Sequence, residues 1–147
     1  MVQTKLSSQL KKVEQDLDKI KQQFLINMAT DIVQITVSEN SAGKPAVDTG
    51  AYIESHSIRA TRGAGRSRSS SGKPTNQNPE AKADEALSML MEDIASLPKD
   101  APEVYLSNNS PHASLVEFTY GYNVYGVARS RAKVNLEAAK NKVRGGQ

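Results

Sequence analysis

VDTGAYIESHSI, residues 47–58, is the stretch over which the chain passes from a helical to an extended pattern. The side-chain oxygens of Asp48 and Thr49 can accept nearby backbone N–H groups, and Gly50 tolerates the positive φ that a sharp reversal often needs. Asp48, Thr49 and Gly50 therefore read as a structural turn. Beyond it, Ala51 and Tyr52 start a short helical turn or strand, and Ile58 is the next apolar residue placed to enter a core. Taken alone, the stretch is a connector between a helix and a strand.

Upstream, apolar residues fall at Leu6, Leu10, Val13, Leu17, Ile20 and Phe24, in alternating steps of four and three. That spacing predicts a helix over about residues 4–37, its stripe continuing through Leu25, Met28, Ile32 and Ile35. The first three heptads have the pattern of a coiled-coil seam, but the β-branched run from Ile32 to Val37 suits a domain core. The expected arrangement is a long helix lying across the domain's own sheet, closed by Gly43 and Pro45.

Downstream, a strand is expected near residues 55–60, then a tract of Gly, Ser and Arg without an apolar side chain larger than alanine. This predicts a flexible basic loop at 60–78, because so polar a segment has too little to bury. Its Arg62, Arg66, Arg68 and Lys73 form a candidate phosphate-facing, DNA-facing set. Gly72-Lys73 does not make a phosphate loop, since Ser67 and Pro74 stand where that pattern needs Gly and Ser or Thr. Asn78-Pro79-Glu80 opens a second helix whose buried face is Leu87, Leu90, Met91 and Ile94. Residues 103–107 alternate as a strand, Asn108-Asn109 turn the chain, and Ser110-Pro111 start a short helix. Gly121 and Gly126 then bracket an aromatic loop, and one last helix is expected, with Ala128, Ala132, Leu136, Ala139 and Val143 on its shallow apolar face.

A chain of 147 residues fits one domain, 1–147, with one core. It contains no cysteine, so packing must supply its stability. No apolar run approaches the roughly 20 residues of a membrane span, and the N-terminus lacks the apolar stretch of a signal peptide, which predicts a soluble protein with no membrane partner. The net charge of +3 is unevenly spread. Residues 77–123 carry eight acids against two bases, and residues 124–147 six bases against one acid. Such alternation suits a subunit whose faces meet different neighbours.

Catalytic chemistry is hard to find. His56 and His112 are the only histidines, and no nucleophile-base spacing or metal-binding motif accompanies them. Asp48, Glu54 and Glu117 have no spacing that requires them to converge on a cation. The expectation is a non-enzyme with no cofactor and no metal.

Two motifs in order give the chain a resemblance. The first is Pro45 with Val47 to Gly50, after a long helix and before a strand. The second comprises Asn108-Asn109-Ser110-Pro111-His112-Ala113, Val116-Glu117-Phe118 with Gly121, and Gly126-Val127-Ala128-Arg129. In this order the chain resembles the tail completion proteins of tailed bacteriophages, also called neck or head–tail joining proteins, over about residues 1–140. His112 stands where an aromatic residue is usual, and residues 60–78 are unusually long. The resemblance implies an α+β fold, with a long N-terminal helix and further helices packed on a small antiparallel sheet. It also implies a structural virion protein, assembled in the bacterial host cytoplasm. Such a protein forms a homo-oligomeric ring, a hexamer, between the tail tube or tail terminator protein and the head–tail connector proteins, with genome DNA in the lumen. Glu117, Phe118, Gly121, Gly126 and Arg129 become the expected interface. The competing reading is a small basic nucleic-acid-binding protein that uses the Arg/Ser loop and the C-terminal helix.

Overall fold

In the computed structural model the described residues are 6–38, 51–67, 79–111, 113, 116–117 and 122–145. They form an α+β fold of four helices and one antiparallel pair of strands. The elements are α1 (Ser7–Val37), a single 3-10 turn (Ile53–Ser55), β1 (His56–Arg59), α2 (Pro79–Ala95), β2 (Tyr105–Asn108), α3 (Val124–Ser130) and α4 (Ala132–Gly145). The expected turn at Asp48, Thr49 and Gly50 lies outside the described residues, as do Phe118, Gly121, Arg68 and Lys73.

The C-terminal half of α1 is the spine. Ala29, Ile32 and Val33 are buried there against Ile53, Ile58, Leu90, Ile94, Val124 and Ala128 in one apolar cluster. α2, α3 and α4 all pack along α1, and β1 lies on α2. α1 ends where Ser38 turns extended, its N–H bonded to the carbonyls of Gln34 and Ile35 and its hydroxyl to Ile35. α2 begins on Pro79, where a missing N–H costs nothing, and Glu80 lies in its first turn near the positive end of the dipole.

The N-terminal half of α1 departs from expectation. Instead of lying across the sheet, it leaves Leu6, Leu10, Val13 and Leu17 exposed. The heptad pattern of its first turns is therefore not consumed by the domain's own core.

The last helix is also two helices. The chain breaks at Arg131 (φ −96, ψ −1), between α3 and α4. There the Ser130 hydroxyl turns back to the Val127 carbonyl, and the Asp31 carboxylate of α1 accepts from Arg131 Nε at 2.6 Å and Asn135 Nδ2 at 2.7 Å. Buried Asn135, which the apolar spacing passes over, fastens α4 to α1 through its amide and through its carbonyl, bonded by Asn27. The aromatic loop is shorter than expected, because Val124 already starts α3 and Gly126 lies inside it.

Register places His56 opposite Asn108, Ser57 opposite Ser107, Ile58 opposite Leu106 and Arg59 opposite Tyr105. Two strands alone are marginal in water. A buried carboxylate holds them. Asp93 of α2 accepts both Arg66 guanidinium nitrogens, at 3.0 and 2.9 Å, Arg59 at 2.6 Å, and the Ile58 amide of β1 at 3.0 Å. Burial alone would raise the Asp93 carboxyl, but Arg66, the Ile58 amide and Arg59 together hold it below its ordinary value.

Arg66 therefore corrects the reading of its loop. Its side chain is turned inward, bonding also to the carbonyls of Glu54 and His56, and is not offered to phosphates. Residues 61–67 dock through hydrogen bonds rather than apolar burial. Asn109 donates to the carbonyls of Gly63 and Gly65, and the Arg66 amide bonds Ser57 Oγ. Gly63 adopts φ +78, and at Gly65 a Cβ would stand 2.9 Å from Ser107 Oγ and 3.0 Å from Ser57 Cβ, so the close approach to the sheet needs glycine. Arg62 remains exposed.

Asp93→Ala leaves the mostly buried Arg66 without its counter-charge. It is expected to cost about 3 kcal/mol or more of unfolding free energy, read from urea titration at pH 7. A loss below about 1 kcal/mol would mean that the carboxylate does not hold the strand pair to α2.

Candidate functional site

The end of the two-stranded sheet that carries His56 and Asn108 meets the start of α3, and the two make a polar network around a buried imidazole. Thr36 Oγ1 donates to the Ile32 carbonyl at 2.6 Å, so it can only accept from His56 Nε2, 2.9 Å away. The ring proton is thus on Nε2. Nδ1 is left to accept from the Tyr125 hydroxyl at 2.7 Å and from Asn108 Nδ2 at 3.1 Å. Asn108 Nδ2 also reaches the Tyr52 carbonyl at 2.7 Å, and its Oδ1 accepts the Ser110 amide. Tyr52 meets the imidazole edge-on with ring centroids 5.0 Å apart, and Tyr125 meets it tilted at 5.6 Å.

Protonating Nδ1 would break two hydrogen bonds and put a charge in a buried site. Burial first, and then the nearby Arg66 guanidinium, lower the His56 pKa to about 3. His56 is a fixed neutral strut rather than a proton shuttle. Burial also raises the Tyr125 and Tyr52 hydroxyls, with the Glu117 carboxylate adding to both.

Glu117 spans the entry to α3. Its carboxylate accepts the Tyr125 amide at 2.9 and 3.1 Å and the Gly126 amide at 3.1 Å, two donors that a helix start leaves without partners. Its carbonyl accepts the Asn123 amide, and the Val116 carbonyl accepts that of Tyr122. Asn123, at φ 48, makes the sharp entry. Glu117 is thus an anchor between elements of its own chain, and a Cβ on Gly126 would run into the Asn123 amide.

Above this network lies a groove of about 390 Å³, lined by Tyr52, Leu106, Ser107, Asn108, Ala113, Glu117, Asn123, Tyr125, Gly126 and Arg129. The buried Tyr52 hydroxyl at its base has no hydrogen-bond partner among the described residues. Arg129 is exposed at the rim and makes no ion pair among the described residues. Of the interface residues expected from sequence, Glu117, Gly126 and Arg129 come together here. Tyr52, His56 and Tyr125, which carry the network beneath, were not expected. The available signal was His56 itself, a histidine opening an otherwise buried strand. Of the carboxylates considered for a cation, Asp48 lies outside the described residues, Glu54 stands 2.9 Å from Lys82 Nζ, and Glu117 holds the α3 amides. Among the described residues no group of three His, Asp or Glu gathers as a metal cage, and no helix is long and apolar enough to cross a membrane.

Two outcomes follow from this geometry. Between pH 6.5 and about 3 the unfolded chain takes up a proton at His56 that the folded chain refuses, so stability falls as pH is lowered through that window. Wild type is expected to lose roughly 2 kcal/mol more than His56→Gln between pH 7 and pH 4.5, measured by urea unfolding; parallel pH profiles would contradict the assignment. Glu117→Ala, which uncovers the first amides of α3, is expected to cost about 1–2 kcal/mol in the same measurement.

Comparison with known proteins yields no matching family model, no matching curated protein and no matching solved structure.

Proposed function

We propose that the chain is a structural subunit of the head–tail junction of a tailed bacteriophage. Identical copies close into a ring, a hexamer, that completes the tail and docks on the connector proteins. The observation that carries this reading is convergence. Asn108, Ala113, Glu117, Gly126 and Arg129, drawn from separate pieces of the motif behind the resemblance, line one groove. Core packing does not require that arrangement, since Arg129 is exposed and the groove is open. A groove with an apolar wall from Leu106 and Ala113, a fixed carboxylate and an exposed guanidinium at the rim suits a segment of a neighbouring copy or of an adjoining tail protein.

The site supports a binding role rather than a catalytic one, because its imidazole is buried, fully bonded and held neutral. The nucleic-acid reading loses Arg66, which Asp93 engages, and keeps Arg62 and the basic side of α4. In the ring, Arg62 is the described loop cation left to face DNA in the lumen. The protein's place is then the virion neck, after assembly in the host cytoplasm.

Arg129 is the direct test, since it rims the groove, is exposed and makes no ion pair among the described residues. Arg129→Ala is expected to leave the melting temperature within about 2 °C of wild type. It should lower the yield of joined particles about ten-fold or more, counted as heads with tails by electron microscopy of the phage that encodes the chain. Normal joining by a stably folded variant would overturn the groove's role.

A further inference from the structure

The first turns of α1 carry an apolar stripe that the domain does not use. Leu6, Leu10, Val13 and Leu17 are 58, 60, 54 and 59% exposed, while Ile20 and Phe24, next on the same stripe, are partly covered. Lys21 bonds the Ala101 carbonyl, which marks where the body begins to cover the helix. The exposed row runs for roughly 17 Å at 1.5 Å per residue. Four large aliphatic side chains in one row on one projecting helix form a patch of the kind that marks an interaction surface.

The spacing identifies the kind of partner. Steps of four, three, four, three and four place these six residues at the a and d positions of successive heptads, with Leu10 and Leu17 at a and Val13 and Ile20 at d. Lys11, Lys12, Gln15, Asp18 and Lys19 then fall at the outward b, c and f positions. The flanking g and e positions hold Gln9, Glu14, Asp16 and Lys21. In a parallel pair, g of one helix faces e of the next heptad on the other helix. In that register Asp16 would stand opposite Lys21 of the second copy and Gln9 opposite Glu14, so no like charges are opposed.

We propose that the N-terminal half of α1 pairs in parallel with the same segment of a second copy of this chain, as a short coiled-coil seam centred on Leu10, Val13 and Leu17. The C-terminal half, packed in the domain, already holds the helix in register, so the seam need not meet the cost of helix nucleation. The seam is separate from the Glu117 groove, and the inference does not rest on the head–tail reading.

Because the chain has no cysteine, single cysteines report the seam cleanly. Val13→Cys at d and Gln15→Cys at f, each in an Arg129→Ala background to weaken contacts made through the groove, are oxidised at equal concentration. Disulfide-linked dimer is read on non-reducing gels. Val13→Cys is expected to cross-link at least about ten times faster than Gln15→Cys, as d positions face each other across a parallel seam while f positions point away from it. Adding Leu10→Ser and Leu17→Ser should abolish the difference while the far-ultraviolet circular dichroism spectrum stays that of a folded domain, since both side chains lie outside the core. Equal rates for the two cysteines would overturn the proposal. So would binding of the chain to anionic vesicles that needs Leu10 and Leu17 but yields no preferential cross-link, which would assign the stripe to a lipid surface.

Discussion

The structure depends on one buried carboxylate. A charge taken out of water must be matched locally, and Asp93 is matched by the Arg66 fork, by Arg59 and by the Ile58 amide. Each partner belongs to a different piece of chain. The Ile58 amide and Arg59 bring β1 to α2, and Arg66 brings the loop after β1 back over the strands. That return is possible because Gly65 lets the backbone come against Ser57 and Ser107. The same guanidinium bonds the His56 carbonyl, so the residue at the start of β1 is held from both its backbone and its ring. Through His56 the constraint reaches Tyr125 at the start of α3, and through the Tyr125 amide it reaches Glu117.

A sheet of two four-residue strands has little hydrogen-bonded ladder of its own. It persists because α2 covers it and polar groups tie its ends. The imidazole at one end is satisfied on both nitrogens in a single tautomer, which makes the network specific as well as stable. Rigidity below then shapes the groove above: Tyr52, Asn108 and Tyr125 belong both to the network and to the groove wall.

Much of the fold was legible because it depends on local pattern. The 3.6-residue periodicity and the break after Val37 located α1, and Pro79 with the acidic first turn located α2. Both strands fall within two residues of expectation. What escaped the sequence depends on distant partners. The break at Arg131 is fastened by Asp31, a hundred positions away, and leaves only Ser130 as a local trace. Composition made residues 60–67 read as unable to order, because it counts apolar burial and not a guanidinium with a carboxylate waiting for it. The exposed first half of α1 inverted a preference that rested on the core-like run at its other end. In the candidate site, Glu117, Gly126 and Arg129 were reached through the family resemblance, while Tyr52, His56 and Tyr125 were not. Their meeting depends on the register that pairs His56 with Asn108.

The functional account makes the groove a contact between subunits or with an adjoining tail protein. Its wall is preorganised by buried bonds, which reduces the ordering cost of binding, and the exposed Arg129 guanidinium stands at the rim, where it can direct approach. The most direct measurement is a cryo-electron microscopy reconstruction of the head–tail junction of the phage that encodes this chain. The account predicts a ring of copies of this chain between tail and connector, with Arg129 and the groove wall covered by a neighbouring chain. A junction without this chain, or a ring whose groove opens onto bulk solvent, would contradict it.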